Sequence, residues 1–386
     1  MRQTDRHTVT EALRAAALLC AAVAVALLFV YDRSDGARWD VLAALFTGAA
    51  CIGAWALLTR NEPPLGPPEP APEPMRDLPS VLPRNPVDWY LTAGMTLVAL
   101  APWAVFRYAS YQEIDPAVLV IPALLLVPWT LVVLVLTVKN LLVRRLPEPQ
   151  RLLAEDALAG RVVAVRFESA GAHWLRNVSE KSTKLIDPPL EHAQHLKVRD
   201  AKGDWYGMHG LLSALTGPDH ARKQLSVFGP RTEGRHVWIY WPERWEPVLA
   251  VARRHGHPAY PVVAIADDGE MIWGYAALDY TDRYLTDPAN LRATTPGVRA
   301  RPVRPRPYFR PSVHGRMLLR LAVALAAVTP VLLDAVSGGV SAALGLVAAI
   351  AVIDAPFAAL RGNTKVPDPS RYEVSPVHDF RTQPGS

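Results

Sequence analysis

The feature that most constrains this chain is a set of long stretches without a charge. From Ala15 to Tyr31, from Val41 to Thr59 and from Ala117 to Val138 there is no Asp, Glu, Lys or Arg. A helix needs about 20 apolar residues to cross the hydrocarbon core of a bilayer, and in lipid the backbone must satisfy its own hydrogen bonds. Six segments meet that demand as helices: about Leu13–Tyr31, Val41–Leu58, Trp89–Phe106, Ala117–Leu142, Met317–Val336 and Val340–Leu360. Charged residues make up 20% of the chain, against about a quarter in ordinary soluble proteins, and the deficit falls in these runs. That excludes a wholly soluble enzyme and a disordered chain. Two cysteines exclude a disulfide scaffold. The first run follows Arg2, Arg6 and Arg14 as a signal peptide would, but no small-x-small cleavage pattern closes it before Asp32, so it reads as an uncleaved span.

Orientation follows from the bias of Lys and Arg in short flanks. One set of flanks holds Arg2, Arg6, Arg14, Arg60, Arg76, Arg84, Lys139, Arg144, Arg145, a group from Arg301 to Arg316, and Arg361, Lys365 and Arg371. The opposite set holds only Arg33, Arg38 and Arg107. The expected topology is six crossings of the plasma membrane, with both termini and the large domain cytoplasmic. The expected fold class is thus a multi-pass α-helical membrane protein with an inserted, mainly antiparallel β (α+β) domain. Residues 1–60 carry spans one and two, 61–85 a Pro-rich cytoplasmic linker, and 86–146 spans three and four. Residues 147–300 are the β-rich domain, 301–316 an Arg/Pro juxtamembrane arm, 317–361 spans five and six, and 362–386 a tail expected to be disordered.

Residues 61–74 read NEPPLGPPEPAPEP, an acidic, semi-rigid polyproline spacer. Within the domain the hydrophobic period is mostly two, and strands are expected at Arg161–Phe167, His173–Val178, His195–Arg199, Lys223–Phe228 and Arg235–Trp241. Glu233-Gly234 suggests a hairpin, and Asp267-Asp268-Gly269 joins the strands Pro261–Ala266 and Glu270–Ala276. Short helices are expected around His209–Leu215, stopped by Gly217-Pro218, and from Pro247 to Gly256. A small barrel or α+β sandwich is the natural class.

The net charge of +5 raises the question of nucleic acid. From Arg151 to Arg299 the chain carries 19 Lys and Arg against 18 Asp and Glu. The basic excess therefore belongs to the flanks of the spans, and no nucleic-acid partner is expected. The arm residues Arg301, Arg304, Arg306 and Arg310 instead suit anionic lipid headgroups, at about 1 kcal/mol each.

Motifs for phosphate cradles, dinucleotide binding, zinc proteolysis and the nucleophile elbow do not occur. His192-x-x-His195 could share a helical face and His255-Gly-His257 could chelate, but the domain has no Cys and no carboxylate at a known spacing. No metal and no cofactor is expected. Asp267, Asp268 and Glu270 fit a tight turn better than a cation site. Trp205, Tyr206, Trp238, Tyr240, Trp241 and Trp245 crowd the middle of the domain. Alternation puts Trp238 and Tyr240 on the face opposite Val237, Ile239 and Trp241. That face is either core or, with Trp205, a surface for a ligand or protein partner. In the spans, Arg320 and Asp354 are placed to form an intramembrane ion pair. Ser341-x-x-x-Gly345 and Ala49-x-x-x-Gly53 would allow close helix approach. The resulting expectation is a non-enzymatic membrane protein that presents a β-rich binding or regulatory domain at the inner leaflet. The alternatives are a transporter or channel component using Arg320 and Asp354, or a membrane-tethered enzyme with a histidine site. No oligomeric state follows from the sequence.

Overall fold

The computed structural model describes residues 3–31, 36–60, 75–84, 89–110, 124–138 apart from 125 and 136, 146–178, 194–200, 205–210, 217–254, 260–276, 281–303, 308–363 and 372–376. The chain divides into two units. One comprises residues 1–63, 87–141 and 307–366, the other residues 64–86, 142–306 and 367–386.

The first unit is helical. Its helices are α1 (Gln3–Val30), α2 (Trp39–Thr59), α3 (Trp89–Ser110), α4 (Leu126–Val135), α9 (Arg316–Leu332) and α10 (Gly338–Asn363). Among the described residues, five stretches are long and apolar enough to cross a membrane: Thr8–Val30, Trp39–Thr59, Trp89–Ser110, Val313–Leu332 and Gly338–Ala359. Half of the expected fourth span, Ala117–Leu142, lies outside the described residues, and α4 lies within the rest. Helices α1 and α2 pack as one pair, α9 and α10 as another, and α3 packs on both α1 and α10. Their shared core is built from small and branched residues such as Ala24, Val41, Ala104, Ala327, Val331 and Ala348.

Of the three arginines on the sparsely charged flanks, Arg38 and Arg107 have structural partners, and Arg33 lies outside the described residues. Arg107 of α3 donates to the carbonyls of Leu28, Phe29 and Tyr31 at 3.2, 2.9 and 3.4 Å. It thereby caps the C-terminus of α1, where orphan carbonyls attract a cation. Arg38 lies over the Tyr31 ring at 3.3 Å, donates through Nε to Asp40 at 3.0 Å, and its backbone N–H donates to Leu332 O at 2.7 Å.

The second unit is a mixed sheet with helices. Its ring strands are β2 (Val162–Val178), β3 (Gln194–Arg199), β4 (Trp205–Gly210), β5 (Arg235–Pro242), β6 (Tyr260–Ala266) and β7 (Glu270–Ala276). They pair antiparallel in the order β7-β4-β3-β2-β5-β6, and β6 pairs β7 again, which closes a six-stranded ring. Closure leaves no free edge among these strands. Period-two alternation then has a clear meaning. Val163, Val165, Phe167, Leu196, Val237, Ile239, Trp241, Val262, Ala264 and Ile272 form one core with α6 (Gly217–Thr232) and α8 (Asp282–Leu285). The residues between them, including Ala164, Tyr240, Val263, Ile265, Met271 and Trp273, form a second core on the other face, with α5 (Glu148–Leu158).

Several sequence expectations are corrected. His209 lies in β4, so the helix expected from His209 is absent there. Lys223–Phe228 is helical, within α6. Gly217-Pro218 starts that helix rather than ending one, because Pro is preorganised for the first helical turn. Gly234 adopts φ +71° just after α6 and turns the chain into β5, so Glu233-Gly234 is a helix exit and not a hairpin. Arg161–Phe167 and His173–Val178 belong to one long strand with a register shift between Ser169 and Ala172. The hairpin at Asp267–Gly269 and helix α7 (Trp245–Arg254) match the reading from sequence.

Three segments assigned elsewhere join this unit. The linker contributes β1 (Pro79–Val81), paired parallel with β9 (Thr295–Arg299). After β8 (Leu291–Arg292), which pairs with β2, the arm contributes β10 (Arg301–Pro302), paired with β7. The tail contributes β11 (Tyr372–Pro376), paired parallel with the end of β2. The tail is therefore structured at 372–376, and its other residues after 363 lie outside the described set.

Candidate functional site

The aromatic face of β5 is the natural starting point. In the β2–β5 register Ala164 opposes Tyr240 and Arg166 opposes Trp238. Directly opposed residues of an antiparallel pair share a face, so these four side chains lie together on the outside of the ring. Tyr240 is fully buried and Trp238 is half-buried. Two elements cover them. Helix α5 lays down Leu153 and Ala157, spaced by one turn. The second element is the chain segment 75–83, which inserts Leu78 and Leu82 beside Tyr240 and Trp273.

This segment, a strap, is held along its whole length. At one end Met75 N donates to Asp267 Oδ1 at 3.4 Å, and Arg166 reaches the same carboxylate at 3.4 Å. In the middle, Thr295 N donates to Leu78 O at 2.7 Å, Gly297 N to Ser80 Oγ at 3.1 Å, and Ala300 N to Val81 O at 3.0 Å. At the other end the Trp273 indole donates to Pro83 O at 3.0 Å. Burying each leucine stabilises the strap by about 1.5–3 kcal/mol. Against this, Trp238 Nε1 and Tyr240 OH are buried without a hydrogen-bond partner among the described residues. Each such atom costs about 1–3 kcal/mol. Both amide atoms of Gln150, fully buried on α5, are likewise without a partner among the described residues. Burial pushes the phenols of Tyr240 and Tyr275 well above the usual tyrosine range. They stay neutral on this face.

Of the three aromatic residues singled out in the sequence, Trp238 and Tyr240 are brought together and Trp205 is not. Trp205 sits in β4 opposite Arg199, and β4 lies across the ring from β5. Arg301 sits on the β6–β7 turn, with its backbone donating to Gly269 O at 2.8 Å and its guanidinium to Asp268 O at 2.7 Å. Arg310 donates its backbone N–H to His314 Nδ1 at 2.9 Å, and Arg304 and Arg306 lie outside the described residues. In the helical unit, Arg320 Nε of α9 donates to Asp354 Oδ2 of α10 at 2.7 Å. The two side chains are 43% and 30% exposed, so neither is sealed in the bundle core.

Two of the domain histidines are seen side by side in the sheet. His195 is in strand β3 rather than on a helix, and His192, His255 and His257 lie outside the described residues. His173 and His195 are cross-strand neighbours with ring centroids 6.1 Å apart, and His173 Nε2 is 2.9 Å from Ala170 O. Among the described residues no group of three His, Cys, Asp or Glu could hold a metal ion. The turn acids are engaged as turn and ion-pair groups: Asp268 Oδ1 accepts from Glu270 N at 2.9 Å, and Glu270 pairs with Arg231 at 2.5 Å.

What sequence reasoning missed here is the strap. The signal was present in Leu78-Pro-Ser-Val-Leu82-Pro83, two leucines at a fixed spacing within a stretch otherwise read as spacer. The strap is thus held by its backbone carbonyls and by two apolar side chains. No protein-family model, curated protein or solved structure matches this chain.

Proposed function

We propose that this chain is a six-span integral protein of the plasma membrane with both termini and the sheet unit in the cytoplasm. The sheet unit is a non-enzymatic binding or regulatory domain held at the inner leaflet. The observation that carries the topology is the composition of that unit. It draws on residues 64–86, 142–306 and 367–386, and β1 of the first segment pairs with β9 of the second. Segments that fold into one body lie on one side of a membrane. An even number of crossings must then separate residue 86 from residue 142. Helix α3 supplies one, so the apolar run from Ala117 to Leu142, which includes α4, supplies the other. The excess of Lys and Arg on the same flanks favours the cytoplasm as that side. Anionic headgroups are the partner of the arm arginines Arg304, Arg306 and Arg310.

The test is thiol labelling in intact cells. Cys20 and Cys51 are replaced by Ala and single cysteines introduced by Arg254→Cys, at the exposed end of α7, and by Gln112→Cys, between spans three and four. An impermeant maleimide should label the second from outside and the first only after permeabilisation. Labelling of the Arg254→Cys protein in intact cells overturns the sidedness.

A second reading, a transporter or channel component, is favoured by the Arg320–Asp354 pair alone. It predicts that Asp354→Asn abolishes a pH- or ion-coupled flux in proteoliposomes.

A further inference from the structure

We propose that the outer face of the ring around Trp238, Tyr240 and Trp273 is a peptide-binding site whose resident ligand is the chain's own strap. The partner it fits is an extended peptide with two leucines four residues apart and a proline after the second. This rests on the binding-domain reading above, and on neither the sidedness nor the number of spans.

Three observations carry it. First, the strap is not needed to complete the ring: the six strands close on one another, and among the described residues β1 pairs with β9 in a separate two-stranded sheet. Second, the strap is recognised as a ligand would be. Its backbone is met at Leu78 O, Val81 O and Pro83 O, one side chain is met at Ser80 Oγ, and its two leucines enter the apolar layer. Backbone bonds along an extended segment with pockets for spaced side chains are the physics of strand addition. Third, the fit is incomplete. Trp238 Nε1 and Tyr240 OH, on the same face, find no partner among the described residues while the strap is seated. A peptide that offers an acceptor to either gains a bond the strap does not make. The strap holds the site through its covalent attachment, which gives a tethered ligand a high effective concentration. Releasing that attachment is what admits a competitor.

The test uses the full chain in nanodiscs and a fluorescein-labelled peptide of residues 75–84, MRDLPSVLPR. Binding is read by anisotropy. The intact protein should bind weakly. A Leu78→Ser/Leu82→Ser variant should bind roughly 10–100-fold more tightly, since the tethered competitor is removed. A peptide with both leucines changed to serine should not bind. Because the double variant could fail to fold, a second protein carries specific-protease sites in 61–74 and 85–88 and is cut only after folding. The labelled peptide should exchange into the cut protein and not into the uncut one. Absence of exchange while the ring keeps its near-ultraviolet circular dichroism overturns the proposal, as does equal binding to the intact protein. Nanodiscs expose both faces, so failure of the topology in cells leaves this outcome unchanged.

Discussion

Two small-residue motifs in the helices make the same claim in sequence and opposite claims in space. At Gly345 of α10, an added Cβ would fall deep inside van der Waals contact with Ala109 Cβ of α3, with Val105 O at 3.7 Å. At Gly53 of α2 an added Cβ meets nothing within 4 Å. Gly→Ala in a helix gains about 1 kcal/mol of propensity. At Gly53 that gain is unopposed, so Gly53→Ala should be neutral or stabilise by up to about 1 kcal/mol. At Gly345 the backbones must part. Overpacking costs about 1–3 kcal/mol. The separation also stretches the 3.1 Å bond from Ser341 Oγ to Ala109 O, one turn away, at about 0.6 kcal/mol. The net expectation for Gly345→Ala is a loss of about 0.6–2.6 kcal/mol. Moving the methyl rather than adding it should repair the seam, so Ala109→Gly/Gly345→Ala should recover most of the loss. Thermal unfolding in detergent micelles, followed by circular dichroism, measures all four proteins. Equal stability of the two single variants, or no rescue in the double variant, would refute the reasoning.

Other outcomes follow from the same contacts. Arg320→Leu should destabilise the helical unit by about 0.5–1.5 kcal/mol, because it removes the 2.7 Å bond from Arg320 Nε to Asp354 Oδ2, whereas Arg316→Leu, at an exposed position, should cost little; equal losses in micelles would remove the pair from consideration. Asp156→Asn should destabilise the sheet unit by about 1–3 kcal/mol in urea titration, since Asp156 is fully buried and takes Arg244 Nε at 2.5 Å. Burial first, then hydrogen bonds to Asp282 and Asp200, raise the phenols of Tyr260 and Tyr284 above the unfolded value. Their contribution is therefore complete below about pH 10 and is lost as pH rises further, by up to about 1.4 kcal/mol per pH unit for each group; Tyr260→Phe should flatten that alkaline slope. Arg304→Gln/Arg306→Gln/Arg310→Gln should reduce the anionic lipid retained by the detergent-purified full chain, measured by mass spectrometry, and leave retained neutral lipid unchanged.

Five of the six apolar stretches were legible as helices of membrane-crossing length because long uncharged runs favour that use, and the β6–β7 hairpin because Asp267-Asp268-Gly269 has one favoured geometry. The Arg320–Asp354 approach was legible from helix depth alone. Helix α6 was misread because Gly217-Pro218 carries two meanings, stop and start, and only the packing of Leu225 and Phe228 on the ring decides between them. Strand β1 was hidden by composition: in a proline-rich stretch, three extended residues gain their partner from Thr295–Arg299, far along the chain. Likewise, whether Trp238 and Tyr240 face solvent depends on that distant segment and on α5. Local pattern fixes which face a residue takes, and not what covers it.

The pairing of β1 with β9 also sets a timetable for synthesis. Ser80 and Gly297, which are bonded, lie 217 residues apart in the chain. At about 5–20 residues per second, a ribosome needs about 10–40 s to make the second after the first. During that interval Leu78 and Leu82 have no place to go, and the face they will cover does not yet exist. Any factor that shields hydrophobic nascent segments has its longest opportunity there, before the last two helices have left the ribosome.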